Sequence, residues 1–398
     1  MTTIKTDRVM LAALAVILAC GLLAVYSASR AVSGENVFLK QVLWMAVGIL
    51  VFRLGATLAL RLVEDFAYIF LVAICLLLLL TVFFGGGPAG RWLIFGPLHV
   101  QPSEFAKIAI IVAAARAFAD LKSRPRKYGV LLVFLGASPA ILLTWLQPDL
   151  GTATAMVIIL LMLTWWAGYG PDWIFLVVSP VFAALSSTKL VFWLVFTAVL
   201  VIILLRRKAS IPVWLFILGG NTLIAVFTPM VWNLLHPYQQ TRLTTFLNPA
   251  ADPHGAGWNV IQSEVAIGSG GIWGQGYLQG AQKGLAFLPA RHTDFIFSVW
   301  AEETGFAGSL LLLGAFALLA FRLLRAAKVS MSEFGSILAA GCACYFVVHV
   351  FINVGMTLGI MPVTGLPLVL VSYGGSQLLS AMFIAGLGMN VARNWREF

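Results

Sequence analysis

The sequence predicts an all-α fold, a polytopic integral membrane helix bundle. Three observations carry this. The 398 residues are 61% hydrophobic and only 10% charged, against about 25% charged in soluble domains. Apolar runs recur at the length that crosses a bilayer. Lys and Arg also concentrate in alternate connections, as the positive-inside rule requires.

The first run, residues 9–26, carries no charge and follows Lys5 and Arg8. Ser27-Ala28-Ser29 at its end resembles a cleavage site, but the run is longer than a signal h-region, so it reads as a retained first span. Further spans are expected at 41–60, 66–85, 103–119, 129–147, 152–170, 173–187, 190–205, 211–232, 296–320, 335–356 and 365–391. With the N-terminus inside, sixteen of the 25 Lys and Arg fall on the cytoplasmic side, seven outside, and Arg53 and Lys107 within spans. A single long helix over 173–205 would put Arg206-Arg207-Lys208 outside. Two short spans joined near 187–189 keep them inside, and both termini are then cytoplasmic. The net charge of +10 follows from this topology and does not call for nucleic acid. Cys20, Cys75, Cys342 and Cys344 lie in apolar runs at no disulfide or zinc spacing.

One domain accounts for the chain. Two external connections are long, residues 85–101 and residues 236–293. A loop of the second length is usually functional. Its GSGGIWGQG stretch lacks the GK[ST] ending and the GxGxxG spacing of nucleotide loops. Glycines for tight turns and close backbone approach are the expected reading, with a lipid pyrophosphate on exposed N–H groups as a second.

Ionisable groups in or beside spans are costly, and so are candidates for function. In QPSEFAK, Glu104 and Lys107 share a helix face and can form a self-neutralising pair. In QPDLGTA, Asp149 can cap the following helix or pair with a cation such as Arg242. In LPARHTDFIFSVWAEE, Asp294 lies between Arg291-His292 and an apolar wall, where it is either a general base or an N-cap, with His292 a rival base. Glu302 and Glu303 lie two turns further on. Arg242, Lys283 and Arg291 can meet an anionic head group or phosphate. Trp92 is either a membrane-belt residue or a substrate platform. The last span opens on Pro362, Gly365, Pro367 and Gly374-Gly375, a broken entrance. Such backbone is tolerated at membrane depth only when buried in protein or lining a cavity.

Five stretches in order, GRWLIFGPLHVQPSEFAK, QPDLGTA, YQQTRLTTFLNPAADPHGAGWNVIQSEVAIGSGG, LPARHTDFIFSVWAEETG and NVGMTLGIMPVTGLPLVLVSYGGS, resemble the SEDS proteins (shape, elongation, division and sporulation). DPHGAGWNVIQSEVAIGSGG is closer to the elongation branch. The resemblance implies a peptidoglycan glycosyltransferase that polymerises lipid II at the outer face of the bacterial cytoplasmic membrane. Asp294 matches the family's essential Asp, and would deprotonate the attacking sugar hydroxyl as undecaprenyl pyrophosphate leaves. Glu104 and Lys107 match a supporting ion pair, while Trp92, Asp149, Arg242 and Glu303 match motif positions. The implied partners are a class B penicillin-binding protein transpeptidase, other elongation-complex membrane proteins and membrane lipid. A divalent cation (Mg or Mn) is implied as support, without a dedicated metal site in the sequence.

The chain departs from the family at three points. Twelve spans are expected in place of ten, the surplus lying between Asp149 and Tyr238. Ala290 stands where the family has Glu, and SYGGSQ ends in Gln377. A lipid II flippase and a non-catalytic scaffold for a transpeptidase remain alternatives. A flippase needs a polar path through the whole membrane, whereas these acids gather towards one side.

Overall fold

The computed structural model describes residues 7–30, 36–87, 90–96, 98–125, 128–187, 189–234, 240, 256–280 and 292–394. The predicted helix bundle is present. Its helices are α1 (Arg8–Ser29), α2 (Val37–Thr57), the short α3 (Leu60–Asp65), α4 (Ala67–Phe84), α5 (Pro102–Ser123), α6 (Gly129–Leu146), α7 (Leu150–Trp166), α8 (Pro171–Ser186) and α9 (Leu190–Arg206). Next comes α10 (211–234), where Ile211–Trp214 runs through a π-helical turn, Leu215–Gly219, into Gly220–Leu234. Then follow α11 (Ala256–Ser269), α12 (Ile296–Val329), α13 (Glu333–Thr357) and α14 (Gly375–Arg393).

Among the described residues, eight helices are long and apolar enough to cross a membrane. With the shorter apolar α7, α8 and α9 and the more charged α5, twelve segments among the described residues match the twelve expected spans. The break between α8 and α9 falls at Ser187, as the charge argument required. The four Cys are free thiols.

Two features depart from the expectation. The first external connection carries a small antiparallel hairpin, β1 (Leu93–Phe95) and β2 (Leu98–Val100), with Trp92 bridging Gly86 beside it. The last span is shorter than 365–391. Residues 360–374 are not helical and α14 starts at Gly375, because Pro362 and Pro367 remove backbone donors and Leu370 and Gly365 take positive φ. Pro inside a helix costs about 3 kcal/mol, so the chain stays extended until it has passed both.

Small residues set the central packing. α2 and α14 cross at Gly55 and Gly386, where a β-carbon on Gly55 would lie 2.8 Å from the Phe383 carbonyl. Asn390 seals the crossing by donating to the Gly55 carbonyl at 2.9 Å and to the Leu58 carbonyl at 2.5 Å. The α1 backbone at Gly21 meets the extended segment, leaving a β-carbon there 2.6 Å from the Leu370 carbonyl.

The glycine-rich stretch of the long loop does what close backbone approach predicts. α12 bends sharply at Gly305, whose φ of 67° and ψ of −162° lie outside the helical range. The carbonyls freed there, on Glu302 and Glu303, accept from the N–H groups of Gln275 and Gly276 at 2.9 and 3.2 Å. Phe306 and Ala307 donate in turn to the carbonyls of Gly271 and Ile272. These N–H groups are therefore committed to the kink, which removes the pyrophosphate reading for them.

Gly305→Ala would force a side chain into this left-handed conformation, 2.6 Å from the Ile272 carbonyl. A loss of about 2 kcal/mol is expected, read as a lower melting temperature of the purified protein. Gly314→Ala on the same helix, where an added methyl meets open space, should leave the melt within about 0.5 kcal/mol of wild type.

Candidate functional site

The site gathers at the end of the bundle where the hairpin, the start of α12 and the extended segment meet. Residues 292–295 form a turn that delivers the chain into α12. The N-cap position belongs to Phe295 and carries no side-chain cap. Asp294 thus stands one residue before the N-cap position. It is half-buried, against fully buried Phe295, Ile296 and Phe297.

What fixes this turn is its backbone. The Asn353 amide, reaching from α13, donates to the Asp294 carbonyl at 2.9 Å and to the Leu366 carbonyl at 2.7 Å. The Ser372 hydroxyl donates to the Thr293 carbonyl at 2.7 Å while accepting from the Leu368 N–H at 2.9 Å. The Tyr373 N–H donates to the His292 carbonyl at 2.9 Å, and the two rings lie 6.0 Å apart. Gln41 from α2 donates to the Ser372 carbonyl at 3.2 Å. Gln377, the departure at the end of SYGGSQ, donates to the Pro367 carbonyl at 2.7 Å. Sequence reasoning passed over Asn353, Ser372 and Gln41. An Asn and a Gln among apolar residues were the available signal, since buried amides need partners.

The hairpin joins the same assembly. Ser376 donates to the His99 carbonyl and accepts from the Gln101 N–H. Trp92 is half-buried, its ring edge-on to His99 at 6.5 Å, which ties it to the hairpin. Asp149 caps α7 by accepting from the Thr152 N–H at 3.3 Å, as the capping expectation has it. It also accepts from Gln101 and Ser103, and its cation is Arg91 at 3.8 Å. Arg91 reaches the Gln147 and Pro148 carbonyls as well. Arg242, Lys283, Arg291 and Ala290 lie outside the described residues.

Deeper in the bundle, Glu104 and Lys107 form the expected pair at 2.8 Å, both buried. The pair is part of a larger network. Lys107 donates to His349 Nε2 at 3.1 Å. Ser380 donates to Glu104 at 3.3 Å, and the Tyr345 ring lies 5.5 Å from the ammonium. Tyr345, His349 and Asn353 succeed one another at four-residue steps on one face of α13. The ion pair and the Asp294 turn are therefore served by the same helix stripe.

Glu303 is buried just above the kink and accepts from the Ser27 hydroxyl at 2.5 Å. Tyr277 closes over this place and donates to the Leu23 carbonyl at 3.1 Å. Burial pushes its phenol pKa up, with the charge of Glu303 adding to the rise. α11 completes the cover, Ser263 donating to the Thr357 carbonyl and meeting Ser298, both at 2.6 Å.

With this geometry in place, the comparisons with known proteins are decisive. The profile of the FtsW, RodA and SpoVE family, described as cell cycle protein, matches residues 7–194 and 172–397. The chain belongs to this family. It is 34% identical over 422 residues to the peptidoglycan glycosyltransferase RodA of Treponema pallidum, covering 97% of each chain. It is 36% identical over 396 residues to the peptidoglycan glycosyltransferase MrdB of Escherichia coli K12, covering 98% of this chain and 94% of that one. Among solved structures, a chain from work on how a peptidoglycan synthase complex coordinates polymerization and crosslinking superposes with a TM-score of 0.73. The two are 29% identical, with 99% of each chain covered. The two profile matches share residues 172–194, which are α8 and the start of α9. They fall within the stretch between Asp149 and Tyr238 in which the surplus spans are expected.

Lys107→Met would leave the Glu104 carboxylate buried without its cation. A loss of about 3–5 kcal/mol is expected in thermal or denaturant unfolding. Adding Glu104→Gln to that variant should recover much of the loss, because no uncompensated charge then remains.

Proposed function

We propose that the chain is a peptidoglycan glycosyltransferase that extends glycan strands from lipid II, with Asp294 as general base. One observation carries the reading. A half-buried carboxylate stands outside the helix cap on a turn whose preceding backbone is held by Asn353, Ser372 and Tyr373. A base must be held close to its target geometry to act, and a clamp on the backbone of this turn does this. The names of the Treponema and Escherichia relatives support the activity.

In the proposed reaction Asp294 takes the proton of the attacking sugar hydroxyl. That oxygen bonds to the anomeric carbon of the second lipid-linked sugar, and the bond from that carbon to the pyrophosphate oxygen breaks. Undecaprenyl pyrophosphate leaves with the electron pair. Trp92 lies on the hairpin beside this end of the bundle, with Asp149 and Arg91 behind it. Arg242, Lys283 and Arg291 supply positive charge in the long loop for the pyrophosphate. Glu104, Lys107 and Glu303 support the helices beneath. Among the described residues no three His, Cys, Asp or Glu side chains converge on a metal position. A divalent cation would instead enter with the substrate phosphates, as Mg commonly does, and no step is assigned to it.

The charge bias supports an orientation with the Asp294 end outside and both termini in the cytoplasm. A class B penicillin-binding protein is the proposed transpeptidase partner, supported by the likeness to a chain of a peptidoglycan synthase complex. The elongation role rests on the RodA and MrdB relatives.

Purified protein supplied with lipid II under moenomycin should yield glycan chains, and Asp294→Asn should lower the rate by about 10²-fold or more. Equal polymer from both would remove Asp294 as base. No polymer from either, with the partner present, would return transport or scaffolding to the front. The rate of polymerisation should also fall on the acid side as the carboxylate takes up a proton, giving one acidic limb. A rate flat down to pH 4 would contradict a carboxylate base.

A further inference from the structure

A cavity lies at the opposite end of the bundle from Asp294. It opens between α4, α5 and α6 and encloses about 600 Å³, within the ~300–1,000 Å³ range of ligand sites. Its walls are apolar, with Leu71 on α4, Ala117 on α5 and Leu132 and Gly136 on α6. A β-carbon added at Gly136 would meet nothing within 4 Å, so the glycine leaves the trough open where any side chain would narrow it. Leu132 and its neighbour Leu135 are 50% and 60% exposed, so the trough borders the lipid.

The mouth is polar. Asp120 and Arg124 both line it and stand one turn apart at the end of α5, close enough in spacing to pair. They do not pair. The Asp120 carboxylate accepts from the Tyr68 hydroxyl at 3.3 Å and meets Arg116 at 4.0 Å, with 60% of the side chain still exposed. Arg124 makes no ion pair among the described residues. A carboxylate and a guanidinium thus stand side by side above an apolar trough.

That combination fits one chemical class. We propose that the trough seats an acyl chain of a phospholipid with a zwitterionic primary-amine head group, of the phosphatidylethanolamine type. Its phosphate would meet Arg124, the side chain best suited to phosphate. Its ammonium would donate to Asp120. A quaternary ammonium has no proton to donate, and a glycerol head group has no cation to set against the carboxylate. Basic groups between spans on the cytoplasmic side hold the phosphates of head groups such as that of cardiolipin, and the charge bias supports a cytoplasmic position for this end. The lipid would fill the gap between α4 and α6.

Native mass spectrometry of the full chain, released from micelles holding equal dioleoyl phosphatidylethanolamine, phosphatidylglycerol and phosphatidylcholine, tests this. One phosphatidylethanolamine should be retained about tenfold over either competitor, about 1.4 kcal/mol. Gly136→Phe and Arg124→Gln should each lower that retention about tenfold. Leu135→Phe, on the same helix but towards open lipid, should leave it unchanged. Arg124→Gln sits at an exposed helix end and decides the matter should Gly136→Phe fail to fold. Equal retention of phosphatidylglycerol or phosphatidylcholine, retention of none of the three, or unchanged retention in the folded variants would overturn the proposal.

Discussion

Backbone that leaves the helical conformation at membrane depth must have its polar groups satisfied by protein. Much of this structure follows from that constraint. Two such stretches meet at one end of the bundle, the turn before α12 and the extended segment before α14. Each supplies partners for the other. Ser372 and Tyr373 of the second hold the carbonyls of Thr293 and His292 in the first. Asn353 bridges both, with one amide group on the Asp294 and Leu366 carbonyls. Gln41 and Gln377 complete the account at Ser372 and Pro367. The cost of burying an unmade hydrogen bond is about 1–3 kcal/mol, so this set of amides strongly favours a single arrangement. The position of Asp294 is a consequence of it.

The same constraint explains the kink in α12. Gly305 breaks the helical ladder, and residues 271–276 of the long loop replace the missing partners. These residues are thereby fixed to the helix that begins with the Asp294 turn. Charge follows a related rule. A buried ion is tolerated when paired and further hydrogen-bonded, and the Glu104–Lys107 pair is linked in this way to Ser380 and to His349 Nε2.

The helices were legible because apolar length and charge bias are properties of local sequence. The break between α8 and α9 was legible for the same reason, since three basic residues would otherwise face outside. The Glu104–Lys107 pair could be read because three residues on a helix is a contact distance. His349 could not be read, being 242 residues from Lys107, and no spacing rule reaches that far. Asp149 was legible as a cap, but its cation was not, because Arg91 and Arg242 are equally basic on paper. The prolines showed that the last span was broken, not where the helix resumed. Physical reading left Asp294 even between cap and base. The observed start of α12 puts the N-cap position at Phe295, one residue past Asp294, a difference that no spacing rule in the sequence resolves.

If the backbone clamp positions the carboxylate, loosening it should cost turnover more than it costs folding. The direct measurement is the rate of lipid II polymerisation by Asn353→Ala, set against the fraction folded at the same temperature. A fall of about ten- to a hundredfold in rate is expected, in protein that remains folded. An unchanged rate in folded Asn353→Ala protein would contradict the claim that this amide places Asp294 for chemistry.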